Sequence, residues 1–215
     1  MNLIGLLISV VCRLIAITGH EVAHGFVSYK LGDPTPRREG RLSFNPMAHL
    51  DLMGTLLMLL TGFGLSKPVS VDPRYYRDTK KGMALVAIAG PLANLVMAFA
   101  GLLLYAIIFV VNVKTGALDM LTSFLYEFSV SFAITNLSFM VFNLIPIPPL
   151  DGSRILGMFL SNSAYYKLLQ YERYSLILIM ALSLSGAFSS IIGRGVSFIF
   201  DGIIDFLNML LRLVL

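Results

Sequence analysis

Five stretches of this chain, near residues 3 to 31, 82 to 112, 120 to 145, 174 to 192 and 196 to 214, are apolar over roughly the length a helix needs to cross a bilayer. No water is at hand inside a bilayer to satisfy the backbone, so such stretches fold as α-helices whose hydrogen bonds close within the segment. Composition agrees: 57% of the 215 residues are hydrophobic and 13% are charged, against about a quarter charged in a soluble domain. The expected fold is an all-α polytopic membrane protein of about five transmembrane helices, with residues 1–215 forming a single integral-membrane domain. The first stretch lacks the basic start of a signal peptide and is read as a retained membrane helix.

A sixth apolar stretch, LDLMGTLLMLLTGFGL at residues 50 to 65, is short and carries three glycines. PRREGR precedes it and KPVSVDPRYYRDTKK follows, so a complete crossing would put one basic cluster on the wrong side of the membrane. It is therefore expected to re-enter the membrane or to lie at its interface. Lys30, Arg37, Arg38, Arg41, Lys67, Arg74, Arg77, Lys80 and Lys81 then share the cytoplasmic side of the cell membrane, with the N-terminus outside and the C-terminus inside. KPVSVDP alternates weakly between prolines. It fits either a small surface β element, whose edge could hold an extended peptide, or a loop anchored at the interface by Tyr75 and Tyr76.

Several function classes drop out. The single cysteine, Cys12, excludes an internal disulfide and is expected to pack rather than react. The net charge of +4 follows topology, and no basic run interleaved with aromatics offers a site for nucleic acid. No internal repeat supports an inverted-repeat transporter.

The polar residues set among apolar neighbours carry the chemical signal. ITGHEVAHGF, residues 17 to 26, places two histidines and a glutamate in the first helix. A charge at the bilayer centre costs roughly 2.5–3.5 kcal/mol on insertion scales, so the cluster needs a partner or a task. His20 and His24 are four apart and share a helix face, and Glu21 lies three before His24. Zinc suits two imidazoles and an oxygen ligand with one position open, and it brings the pKa of bound water to about 7. Glu21 would take the proton from that water and pass it to a leaving amine. A pair of structural histidines is the plainer alternative.

The third ligand is sought by elimination. A metzincin extension would need glycine at 27 and histidine at 30, where Val27 and Lys30 stand. Glu39, His49 and Asp51 lie on the basic stretch, and Glu127 falls in the outer half of its helix. Asp151, in NLIPIPPLDGSR, remains at the cytoplasmic end of a helix, at the depth of His20 and His24. Pro146, Pro148 and Pro149 should unwind the backbone before it, and Gly152 should let the chain turn after it. Unwound backbone at membrane depth belongs where it lines a wet cavity. Alternatively the prolines only end a helix and Asp151 caps the next one, beginning near Ser153. His49 would replace Asp151 as ligand only if residues 50 to 65 dip deeply. Arg13 and Glu127, both placed in the outer half of the membrane, either pair with each other or leave Arg13 to snorkel outward.

Taken together, HEVAHG, AGPLAN and NLIPIPPLDG resemble the site-2 protease family of intramembrane zinc metalloproteases. The likeness extends through GRLSFNPMAHLDLMGT and KPVSVDPRYYRDTKKGMALVAIAGPLAN, and fits the compact bacterial or archaeal branch without a PDZ or nucleotide-sensing domain. The resemblance implies a helical core around one zinc ion, reached by water from the cytoplasm, that cuts within or next to a transmembrane helix of a membrane-protein substrate. By motif, His20, His24 and Asp151 would be the zinc ligands and Glu21 the catalytic glutamate. Asn143 and Asn94 would meet substrate backbone or a developing oxyanion, or would only bridge helices. The alternative is a zinc-binding membrane protein or transporter without proteolytic activity, which would tolerate Glu21→Gln. Substrate, trigger and oligomeric state are not set by these residues.

Overall fold

The computed structural model describes residues 3–49, 67–116 and 119–212; the re-entrant or interfacial segment expected at 50 to 65 lies outside them. The helices are α1 (Leu3–Lys30), α2 (Thr35–Arg38), α3 (Thr79–Thr115), α4 (Met120–Asn143), α5 (Asp151–Gly157), α6 (Asn162–Gln170), α7 (Glu172–Leu184) and α8 (Ala187–Leu211), with 3-10 turns at Pro46–Ala48 and Pro73–Tyr75. Among the described residues no strand is present, so the surface β element is not found. The reason is visible in KPVSVDP: Pro68 has no N–H, and the N–H groups of Val69 and Asp72 go to side-chain carboxylates instead of a partner strand.

Among the described residues four helices, α1, α3, α4 and α8, have the length and apolar character to cross a membrane, which makes this an all-α polytopic membrane protein. The fourth expected span, 174 to 192, is cut short. Its helix α7 ends at Leu184 after 13 residues, and Gly186 adopts a left-handed φ of 75° before α8 restarts at Ala187. Residues 193 to 195, which separate the expected spans 174 to 192 and 196 to 214, are instead continuous helix, in which the Arg194 guanidinium reaches back one turn to Ser190 Oγ at 3.1 Å.

The chain divides into two compact units. One comprises Met1–Ala16, Asn94–Phe142 and Ile179–Leu215. Its buried centre is Ala98, Leu102 and Ala106 of α3, Ala133 and Leu137 of α4, and Leu207 of α8. Alanines let helix backbones approach closely, which is how helices associate where lipid removes the hydrophobic drive. Asn94 donates to the Ala16 carbonyl at 3.2 Å and to Asn136 Oδ1 at 2.9 Å, and Asn136 donates to the Phe132 carbonyl. Cys12 is fully buried and unpaired, as packing requires. Of the two alternatives for Arg13, the pair with Glu127 is not formed, and Glu127 is exposed.

The other unit, Ile17–Ala93 and Asn143–Leu178, is built differently. It buries His20, Glu21, His24, Asp33, Arg41 and His49. Here α3 contains Pro91, which cannot donate to the Ala87 carbonyl one turn back, and it is fully buried. Tyr76 is buried as well, so of the two tyrosines expected at the interface only Tyr75 is exposed.

Candidate metal centre

Helix α1 presents His20 and His24 one turn apart, with ring centroids 4.5 Å from each other and ring planes nearly perpendicular at 87°. Their Nε2 atoms stand 2.9 Å apart. His24 Nδ1 lies 2.7 Å from the Val86 carbonyl on α3, and a carbonyl only accepts. That nitrogen therefore carries the hydrogen, which leaves the lone pair of Nε2 for a ligand.

Asp151 arrives from the proline-rich stretch. Residues 144–150 are irregular, with tight bonds from Ile147 N–H to the Ile145 carbonyl and from Leu150 N–H to the Ile147 carbonyl. Helix α5 begins at Asp151 itself, with Leu150 as its N-cap and no side-chain cap. The aspartate thus does not cap the helix. Its Oδ2 points at the imidazoles, 3.2 Å from His20 Nε2 and 3.3 Å from His24 Nε2. Gly152 serves close approach here rather than the expected turn: a Cβ on it would sit 2.3 Å from the Leu144 carbonyl oxygen.

Three observations test whether these residues suit a zinc ion. Tetrahedral zinc with bonds of 2.0–2.2 Å separates its ligand atoms by about 3.3 Å, and the present separations are 2.9, 3.2 and 3.3 Å. Asp151 Oδ2 is buried and makes no hydrogen bond among the described residues, a costly state for a carboxylate oxygen without an electrophile to face. Finally, Gly90 lines the space beside the rings: a Cβ there would come within 2.5 Å of His24 Nε2 and 2.6 Å of His20 Nε2. The donor set and its surroundings fit.

Glu21 is 6% exposed, and its Oε2 accepts the backbone N–H of Val69 at 3.0 Å. His49 is fully buried, with Nε2 donating to the Ser43 carbonyl at 2.7 Å, and it is not among the three residues that converge. Asn143 is the half-buried last residue of α4. Asn94 is fully buried.

The model of peptidase family M50 matches residues 106–186, a range that contains Asn143 and Asp151. The protein named "Putative zinc metalloprotease YwhC" from Bacillus subtilis is 38% identical over 176 residues, which cover 80% of this chain and 78% of that protein. The chain belongs to peptidase family M50. Two more distant relatives are "Putative zinc metalloprotease Rip2" of Mycobacterium tuberculosis, 26% identical over 80% of this chain and 64% of that protein, and "Putative zinc metalloprotease MJ0611" of Methanocaldococcus jannaschii, 31% identical over 64% and 62%. No solved structure matches the chain.

Three features of this M50 chain were not read from its sequence: the Gly90 cradle, the Val86 carbonyl behind His24 and the Val69 N–H on Glu21. Gly90 stands in AGPLAN, one of the three motifs that carry the family resemblance, so its glycine was within sight. The other two are backbone groups, which no side-chain pattern discloses.

Proposed function

We propose that this protein, an intramembrane zinc metalloprotease of peptidase family M50, hydrolyses peptide bonds within or next to transmembrane helices of membrane-protein substrates, using His20, His24 and Asp151 to hold one zinc ion and Glu21 as general base. The observation that carries the reading is the meeting of ligand atoms from residues 20, 24 and 151 within 2.9–3.3 Å of one another. Zinc, when bound, supplies Lewis acidity toward the scissile carbonyl and lowers the pKa of water to about 7. Glu21 takes the proton of the attacking water and delivers it to the leaving nitrogen, while the Val69 N–H holds its other oxygen. Asn143 offers an amide to the substrate backbone or the oxyanion, a donor worth about 2.7–4 kcal/mol. Asn94 has the same amide, but both of its hydrogens already go to protein acceptors, which supports helix bridging. The distribution of lysine and arginine supports an outside N-terminus, a cytoplasmic C-terminus and an active site in the cytoplasmic half of the cell membrane.

The test compares purified, zinc-loaded wild type with Glu21→Gln on helical membrane substrates. The variant should keep its zinc and lose about 10²–10⁴-fold in cleavage rate. A zinc-binding protein or transporter without proteolytic activity would give identical products from both proteins, and that outcome would overturn the reading.

A further inference from the structure

Residues 67–72 form no regular element, yet the Val69 N–H among them is the group that meets Glu21 at 3.0 Å. Their placement must come from tethers outside the segment. At one end the Lys67 N–H donates to the His49 carbonyl at 3.0 Å. At the other, the Asp72 N–H donates to Asp33 Oδ2 at 2.8 Å.

Asp33 is fully buried, and its carboxylate also accepts from Ser28 Oγ at 2.8 Å and from the Thr35 N–H at 2.9 Å. Ser28 Oγ in turn meets the Tyr76 hydroxyl at 2.7 Å. The carboxylate thus joins two parts of the chain, helix α1 at Ser28 and the irregular segment at Asp72. Ser28 lies seven residues after Glu21, two turns along the same face of α1, or about 10.5 Å. Three extended residues, from Val69 to Asp72, cover about 10 Å. The two tethers therefore match in length and lock one register: with Asp72 held, Val69 falls beside Glu21.

Resting on the reading of Glu21 as general base, we propose that Asp33 is a positioning residue for proteolysis: it fixes the register of residues 69–72 against α1 so that the Val69 N–H orients the Glu21 carboxylate. An ionised carboxylate suits this task, since charge-assisted bonds are the strongest available and Asp33 accepts three donors at once. Asp33→Asn preserves size but turns a donor toward the Asp72 N–H when its oxygen stays on Thr35.

The experiment uses the full chain in detergent or nanodiscs and compares wild type, Asp33→Asn, Val69→Pro and the double variant. It reads zinc content, steady-state cleavage, and amide hydrogen exchange over residues 67–72 in zinc-loaded and zinc-free protein. Asp33→Asn should keep stoichiometric zinc, lose exchange protection at both Asp72 and Val69 with and without zinc, and lower kcat about 10–100-fold while KM stays within about twofold. Val69→Pro should lower kcat similarly while Asp72 stays protected, and the double variant should fall no further than the worse single one. Protection kept at Val69 together with an unchanged kcat in Asp33→Asn, or additive losses in the double variant, would overturn the proposal. Should Asp33→Asn fail to fold, a glycine inserted between Ser70 and Val71 leaves Asp33 and its partners intact but shifts the register. It must then show the same loss of kcat, and unchanged turnover there is equally fatal. Failure of the proteolytic reading itself would appear separately, as equal products from wild type and Glu21→Gln.

Discussion

The two units of this molecule bury different things by different means. In the unit of Met1–Ala16, Asn94–Phe142 and Ile179–Leu215, alanine and leucine side chains fill the centre, and the Asn94–Asn136 bridge is held by only a few hydrogen bonds. The other unit buries histidine, glutamate, aspartate and arginine, and directional bonds fix them: His24 to the Val86 carbonyl, Glu21 to the Val69 N–H, Asp33 to Asp72, Arg41 to the Ala48 carbonyl. Dispersion contacts are many and individually weak, so an apolar centre spreads a small displacement over many neighbours. A cluster of ligand atoms has no such tolerance. Equal substitutions in the two units should therefore be read by different instruments, one by unfolding and the other by zinc content and turnover.

The sharpest form of that contrast is one methyl group placed twice. Gly90→Ala puts a carbon within 2.6 Å of both Nε2 atoms, closer than any real contact allows, and the imidazoles must move. We expect zinc loading and cleavage to be lost while circular dichroism still reports a helical protein. Gly101→Ala puts its carbon 3.1 Å from the Ser129 carbonyl and from Phe132 Cδ1, a crowding that a few tenths of an ångström relieve. It should keep full zinc and lower stability by no more than about 1–3 kcal/mol. Zinc lost equally from both variants would break the contrast. Next in size, Leu137→Ala in the apolar centre should cost about 2–5 kcal/mol in a detergent unfolding titration and leave turnover per folded molecule unchanged.

How far the sequence reached follows the same division. Long apolar runs disclose spanning helices because the bilayer admits no other backbone, so α1, α3 and α4 were legible almost to their ends. The boundary between α7 and α8 was not, since Gly186 and the pair Gly193 and Gly195 are equivalent as letters and only one of these positions takes φ 75°. In the candidate site, the shared helix face of His20 and His24 was legible from their spacing, and the approach of Asp151 to them from the exclusion of other acids and from depth. The supporting contacts were hidden, because a carbonyl such as Val86 or an N–H such as Val69 exists at every residue. Asp33 was hidden for another reason: an aspartate before a proline reads as an ordinary loop residue until Ser28, Asp72 and Tyr76 are brought around it.

Smaller effects refine the comparison. Asn94→Ala removes two donated bonds from the apolar unit and should cost about 0.6–1.7 kcal/mol, the range of hydrogen bonds between membrane helices, with cleavage within a few-fold of wild type. A large fall in kcat with zinc and stability intact would return Asn94 to the oxyanion.

The smallest effect separates the units by pH. Burial pushes the Asp33 carboxyl up, but bonds from Thr35, Asp72 and Ser28 outweigh it, and the folded protein holds the group below its usual value of 3.8. The unfolded chain then takes up the proton first on acidification. Asp33 contributes its full stabilisation above about 3.8, and this declines as pH falls through the lowered native value. Of the groups that face it, the Tyr76 hydroxyl is pushed above its usual range by burial and stays neutral in this window, and the Asp72 carboxyl is lowered by Arg74 at 2.7 Å in wild type and variant alike, so its own titration cancels in the difference between them. The difference in unfolding free energy between wild type and Asp33→Asn should thus be flat from about pH 7 to 5 and shrink below about 3.8. For Leu137→Ala the corresponding difference should stay level throughout, because the deleted atoms carry no proton. A difference for Asp33→Asn that grows on acidification would mean that the carboxyl is neutral in the folded protein, and the bonds to Asp72 and Ser28 would then need another explanation.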